Sequence, residues 1–544
     1  MKRFLIVVAA LVGLAPAAYA QTTDAILDSL QLGAFRFAWY EANPANGLIK
    51  DRSTPGSPCS IAATGFGLSA ICIGVDHAWV SRADAAARVL LTLQTFWNGP
   101  QGNGATGFIG SRGLFYHFLD MFSATRTWTS ELSTIDTALL LAGMLDAREF
   151  FDGADATETQ IRTLVNQIYQ RVEWNFMQAP TSRRIRHKWT PETGFGTECG
   201  GQPCEWTGYN EGMILYILAF GSPTFPIPDP ATSWNAWRST YNYSTQFGQT
   251  YLIFPPLFGH QYSHCWIDFR LYNDSYMTAR GLTYFENSRR ATLAQRAYAI
   301  AAGISNPAKA YTDSLWGLTA SDEPNGAPYP NPPYTGYSAH GAPPAQDDDG
   351  TITPTAPISS IAFAPNEVIP VIRKLWQTYK TQMWGFYGFK DAMNLLVNPD
   401  WFDTDALGID QGPITIMIEN YRTGAVWERF MQAPEVILGL QNAGFIGPLD
   451  VPLPGPGPAL ESLTAAPNPF AGEVTLSFRL ARAGRVRLTV LDIGGRVVGR
   501  LVDGPREAGL HVATLSGADL PSGVYLARLE AANQVIERTL VRLR

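Results

Sequence analysis

Two stretches of this 544-residue chain put carboxyl groups where carboxyls are costly. In Glu131-Leu-Ser-Thr-Ile-Asp136-Thr-Ala-Leu-Leu, Asp136 lies among Leu, Ile and Ala, so it must find a partner or hold its proton. Glu131 precedes it in a first turn, where the helix dipole favours acids. The two would be separated by about 140° around a helix, so one can face a cavity while the other braces a neighbour. Glu211 stands at the mouth of the apolar run Gly212 to Phe220, beside Trp206, Tyr209 and Asn210. The run stops at Gly221 and Pro223, a helix-ending pair. A carboxyl there either caps the helix or does chemistry. Glycoside hydrolysis is the chemistry that asks for such a set: one acid protonates the leaving oxygen and a second carboxylate activates water or attacks the sugar.

Other polar clusters bear on binding. Phe258 to Arg270 contains His260, His264, Cys265, Asp268 and Arg270. Two His at this spacing can ligate metal on a helix, but no Glu follows His260 and the metalloprotease pattern is absent. Sugar-hydroxyl binding by His260, His264, Asp268 and Arg270 is the expectation, with no metal and no cofactor. Asp410, in Gly408 to Pro413, is either an N-cap or a pocket acid. Aromatic residues make up 12% and charged residues only 16%, which suits a neutral, hydroxylated partner. Trp128, Trp206, Tyr209, Trp316 and Asp322 join the expected substrate-binding set. Formal net charge is -7, and no basic stripe exists to neutralise phosphates, which excludes nucleic acid.

These side chains need buried elements to hold them. From Asp24 to about Ala443 the dominant period is helical, predicting about a dozen helices near 24–41, 60–78, 81–97, 130–152, 156–176, 206–220, 231–243, 286–303, 357–379, 411–421 and 425–443, with another near 268–280. Several are apolar all round and others amphipathic, which predicts an inner ring covered by an outer one, an all-α toroid rather than an open solenoid. The stretches 98–129 and 307–355 lack helical pattern, and the tyrosines of the second, with Trp316, predict a pocket wall, the alternative being a mobile surface loop. Cys199 and Cys204 bracket a turn just before Glu211 and are either bridged or free thiols.

The ends of the chain read differently. Residues 1–20 have Lys2 and Arg3, an apolar run and Ala18-Tyr19-Ala20, the pattern of a secretory signal peptide; no later run is long enough to cross a membrane. Residues 451–460 form a Pro/Gly linker between a domain of 21–450 and a tail of 461–544. The tail alternates with period 2 at Val474, Leu476, Phe478 and Leu480, predicting a small all-β sandwich.

Asn468-Pro469-Phe470, Leu491 to Val497, Leu520 to Tyr525 and the basic end Arg538 to Arg544 make the tail resemble the immunoglobulin-like C-terminal sorting domains of the type IX secretion system. That resemblance implies export, secretion or surface attachment, with the secretion machinery as partner. Glu131 to Leu140, Trp206 to Glu211, Phe258 to Arg270, Trp316 to Asp322 and Gly408 to Arg422 resemble the bacterial glucoamylase-like domain family, which includes the endo-β-1,2-glucanases of glycoside hydrolase family 144. It implies an (α/α)6 barrel and an inverting hydrolase of β-1,2-glucan with Glu211 as general acid. Glu131 and Asp136 match its acidic positions, either of which would activate water. Action on another glucan linkage, or glycan binding without catalysis, are the alternatives.

Overall fold

The computed structural model describes residues 21–325, 336–344, 346–447, 460–480, 484–493, 496–506, 509–518, 520–531 and 534–543. The expected signal peptide, most of the linker and part of the second insertion lie outside the described residues. The helices run α1 (Thr23–Tyr40), α2 (Ile61–Asp76), α3 (Arg82–Asn98), α4 (Thr134–Phe150), α5 (Ala156–Gln170), α6 (Gly212–Gly221) and α7 (Pro230–Arg238). They continue with α8 (Tyr262–Trp266), α9 (Ser275–Thr278), α10 (Tyr284–Ser305), α11 (Thr355–Ile358), α12 (Pro365–Lys374), α13 (Lys380–Met383), α14 (Gly408–Arg422), α15 (Ala425–Phe430) and α16 (Pro434–Asn442).

The inner ring follows from composition. Every residue of α6 is buried, as is α2 from Ile61 to Gly74, because neither has a polar face to offer water. By contrast α5 buries Ile161, Leu164, Val165 and Ile168 on one stripe, and Asp155 caps it by accepting from Thr157 and Glu158 amides. Inner helices α2 and α4 approach backbone to backbone: a Cβ on Gly143 would sit 1.8 Å from the Gly65 carbonyl oxygen. Alternation of inner and outer helices closes an (α/α)6 barrel around one apolar core. The long runs foreseen at 357–379 and 425–443 are broken, since Pro365 and Pro434 each begin a new helix. Near 268–280 only the short α9 forms.

The tail has its own core, containing Val474, Leu476, Phe478, Val486, Leu488 and Val490. Antiparallel sheets of three and four strands build it, with Glu473–Leu480 central in one and Gly484–Asp492 paired to both Val497–Arg506 and Gly523–Ala531 in the other.

Candidate active site

A cavity of about 310 Å³ opens at the mouths of the inner helices, lined by Asp51, Arg52, His117, Phe118, Asp136, Phe258, Tyr262, Tyr337 and Ile409 among others. Asp136 reaches it from the first turn of α4. Its amide donates to the N-cap Ser133 Oγ (3.2 Å), and that hydroxyl donates back to Asp136 Oδ2 (2.5 Å). His117, from the first insertion, stands between two acids: Nδ1 is 3.0 Å from Glu131 Oε1 and Nε2 is 3.7 Å from Asp136 Oδ1. Burial opposes charge on this imidazole, but the flanking carboxylates outweigh it and raise its pKa to about 9. Burial likewise raises Asp136, with His117 pulling the other way, while the hydrogen bond and charge of His117 overcome burial and lower Glu131.

Glu211 is the N-cap residue of α6, yet its side chain makes no capping hydrogen bond. Its Oε2 is shut off from solvent and has no hydrogen-bond partner among the described residues. Burial, with the charge of Asp136 adding to it, pushes its carboxyl up to about 7. Tyr262, in the cavity wall, feels the charges of both Asp410 and Glu211.

One segment ties Glu211 to Asp136. Cys199 and Cys204 are bridged, and the Cys204 carbonyl accepts from the His187 amide (3.0 Å). Lys188 and Trp189 pair with Ser133 and Leu132 just before α4. Thr134 Oγ1 donates to the carbonyls of Arg186 and His187 and accepts from Trp206 Nε1 at 3.0 Å. The start of α4 and the start of α6 are therefore braced through residues 185–206.

The opposite flank carries more acids. Asp410 sits buried in the first turn of α14 with Leu407, not Asp410, as N-cap. Burial raises both Asp410, to about 7, and Asp391, and each of the two carboxyls feels the other. Asp391 Oδ2 also accepts from the Asp322 amide (2.6 Å), and Asp322 takes both its oxygens to Arg52 Nη1 at 3.0 and 2.9 Å. Burial pushes Asp403 up to about 7 as well.

Among the described residues, three acidic groupings have ligand atoms within 4.8 Å of one another: His117 with Glu131 and Asp136, Glu323 with His340 and Asp349, and Asp322 with Asp391 and Asp403. In the second, His340 turns opposite ring nitrogens to Glu323 and Asp349, the geometry of an ion-pair bridge rather than shared coordination. In the others His117 or Arg52 already supplies the counter-charge.

Several expected binding residues lie elsewhere. His260 and His264 are buried around Ser288, with His264 Nε2 3.0 Å from its Oγ, and burial depresses His260 to about 3. Asp268 and Arg270 pair with each other at 2.7 Å, the guanidinium 4.0 Å from the Trp427 ring. Trp316 is fully buried in the core. None of these five lines the cavity, and neither do Glu131, Glu211, Asp322 and Asp410. Tyr209 is buried against Tyr284, and Trp206 acts through its bond to Thr134. Trp128 lies outside the cavity, its ring 5.3 Å from that of Phe118. Sequence reasoning passed over His117, Arg52, Tyr262 and Asp391; only their nearness to long patternless insertions or short acidic pairs could have pointed to them.

The Glycoamylase family model, described as "Putative glucoamylase", matches residues 203–434, and a model for the secretion system C-terminal sorting domain matches residues 464–542. A curated relative from Parabacteroides distasonis, an exo β-1,2-glucooligosaccharide sophorohydrolase (non-reducing end), is 29% identical over 78% of this chain; the chain spans 58% of that relative's length. A solved structure of the same glucoamylase description from Bacteroides uniformis is 32% identical, with TM-score 0.68 over 79% of this chain and 98% of its own. An endo-β-1,2-glucanase from Chitinophaga pinensis, solved with sophorotriose and glucose, is 26% identical with TM-score 0.68 over 79% of this chain and 100% of its own. The barrel, its ring of buried acids and this coverage agree, and the chain belongs to the glucoamylase-like family of (α/α)6-barrel proteins.

Proposed function

We propose that the barrel is a glycoside hydrolase acting on β-1,2-linked glucan with inversion, and that the tail directs its export or surface attachment. The observation that carries the reading is the Glu211 carboxyl: its Oε2 is shut off from solvent without a partner among the described residues, and burial, with the charge of Asp136 in the cavity wall adding to it, raises the group to about 7, so that it holds a transferable proton near neutral pH. In the reaction Glu211 gives that proton to the glycosidic oxygen as the bond from the anomeric carbon breaks. Water adds to the anomeric carbon from the other face and loses its proton to Asp136. Glu131 acts through His117, whose two ring nitrogens it and Asp136 share, and so is a positioning residue. The β-1,2 linkage rests on the printed activities of the Parabacteroides and Chitinophaga relatives.

Asp410 supports a second reading of the base, because it is buried in the first turn of α14 and its charge, like that of Glu211, reaches Tyr262 in the cavity wall. The test is reducing-end release by the purified chain from a panel of linear glucans. Release confined to β-1,2-glucan, falling about 10³-fold in Glu211→Gln, supports the assignment; binding without release makes the chain a glycan-binding protein. Asp136→Asn and Asp410→Asn separate the two bases, the true one losing about 10²-fold or more in kcat.

A further inference from the structure

A second concavity of about 520 Å³ lies beside the cavity and is lined by Tyr40, Asn43, Lys50, Asp120, Phe122 and Trp128 among others. Its aromatic side chains are bare: Tyr40 is 61% exposed, Phe122 87% and Trp128 69%. Water-facing aromatics gathered in one cleft are an unpaid hydrophobic cost and mark a ligand groove. Their backbone is held, not loose. Asp120 Oδ1 accepts from the amides of Phe122 and Ser123, and the Met121 carbonyl accepts from both Asn43 and Asn46 side chains. Trp128 is fixed at a positive φ of 53°, a strained conformation for a bulky residue, and it stands its indole out from the surface.

The cleft shares a wall with the cavity. Phe118 lines the cavity and packs edge-on against Trp128, while consecutive residues Lys50 and Asp51 face the cleft and the cavity respectively. Flat rings with polar neighbours suit the two sides of a pyranose, its C–H face and its hydroxyl edge.

We propose that this cleft binds sugar units of the same glucan chain that lie beyond those held in the cavity, with Phe122, Trp128 and Tyr40 as stacking platforms. The proposal rests on the glucanase reading but concerns only binding. Its test uses the full chain carrying Glu211→Gln, so that the polymer stays uncut, titrated calorimetrically with long linear β-1,2-glucan. Adding Phe122→Ala and Trp128→Ala should raise Kd about tenfold or more, with an unchanged melting midpoint, and Trp128→Phe should restore most of the affinity. An unchanged Kd in the double variant, or no binding by Glu211→Gln with the cleft intact, overturns it. Failure of the activity reading shows separately, as a wild-type chain that releases no reducing ends.

Discussion

At the scale of single residues, the site turns on how burial sets protons. With Glu211 as the proposed acid, kcat/KM on β-1,2-glucan should fall as pH rises through about 7, the value to which burial pushes its carboxyl. Stability has the same sign. The folded carboxyl keeps its proton to higher pH than the unfolded one, so this group's contribution is whole below the ordinary value of 4.5 and is lost as pH rises through about 7. Glu211→Gln cannot ionise; its melting midpoint should exceed that of the wild type at pH 8 and approach it at pH 4, as thermal unfolding at both pH values would show. Glu211 and Asp136 were legible in the sequence because apolar neighbours made their charges conspicuous. His117 was not, since it lies in an insertion where no period says which way a side chain points. His260 and His264 show the converse: a suggestive spacing, with both rings turned into the core.

Between residue and molecule, the inner helices decide how firmly the acids are held. Backbone contact between α2 and α4 leaves no room at Gly143, so Gly143→Ala must push the helix that carries Asp136 away from its neighbour. It should cost about 3 kcal/mol, read as a lowered denaturation midpoint. Trp206→Phe tests the brace at the helix mouths. Losing the bond to Thr134 should cost about 1 kcal/mol and lower kcat with little change in KM, because packing remains while the relation of α4 to α6 loosens. Helix type was readable from period in most segments, 268–280 being an exception where only the short α9 forms, whereas helix limits were not. The apolar pattern runs on past Ala364 and Ala433, but a proline at the next position starts a fresh helix in each case. The Leu132–Ser133 strand pairing likewise trimmed the start foreseen for α4, since its partners at 188–189 are remote in sequence.

For the whole molecule, the barrel and the sandwich each enclose a separate core. We expect a chain ending at residue 447 to keep its melting midpoint and its rate on glucan within about twofold, while losing export in a host that uses the sorting route. The change of period near residue 460 made this division visible in the sequence. Closure of the ring was less visible, because contacts such as Arg429 with Asp146 at 2.6 Å join segments far apart in the chain.

The placing of Glu211 at the N-cap of α6 has one more consequence. Enclosure makes the acid reluctant to ionise, but its residue stands at the positive end of a helix dipole, which favours an anion nearby. The environment that stores the proton is thus paired with one that steadies the anion left behind. In the proposed role, such an acid can be weak at rest and still be a competent donor as the leaving oxygen gathers charge.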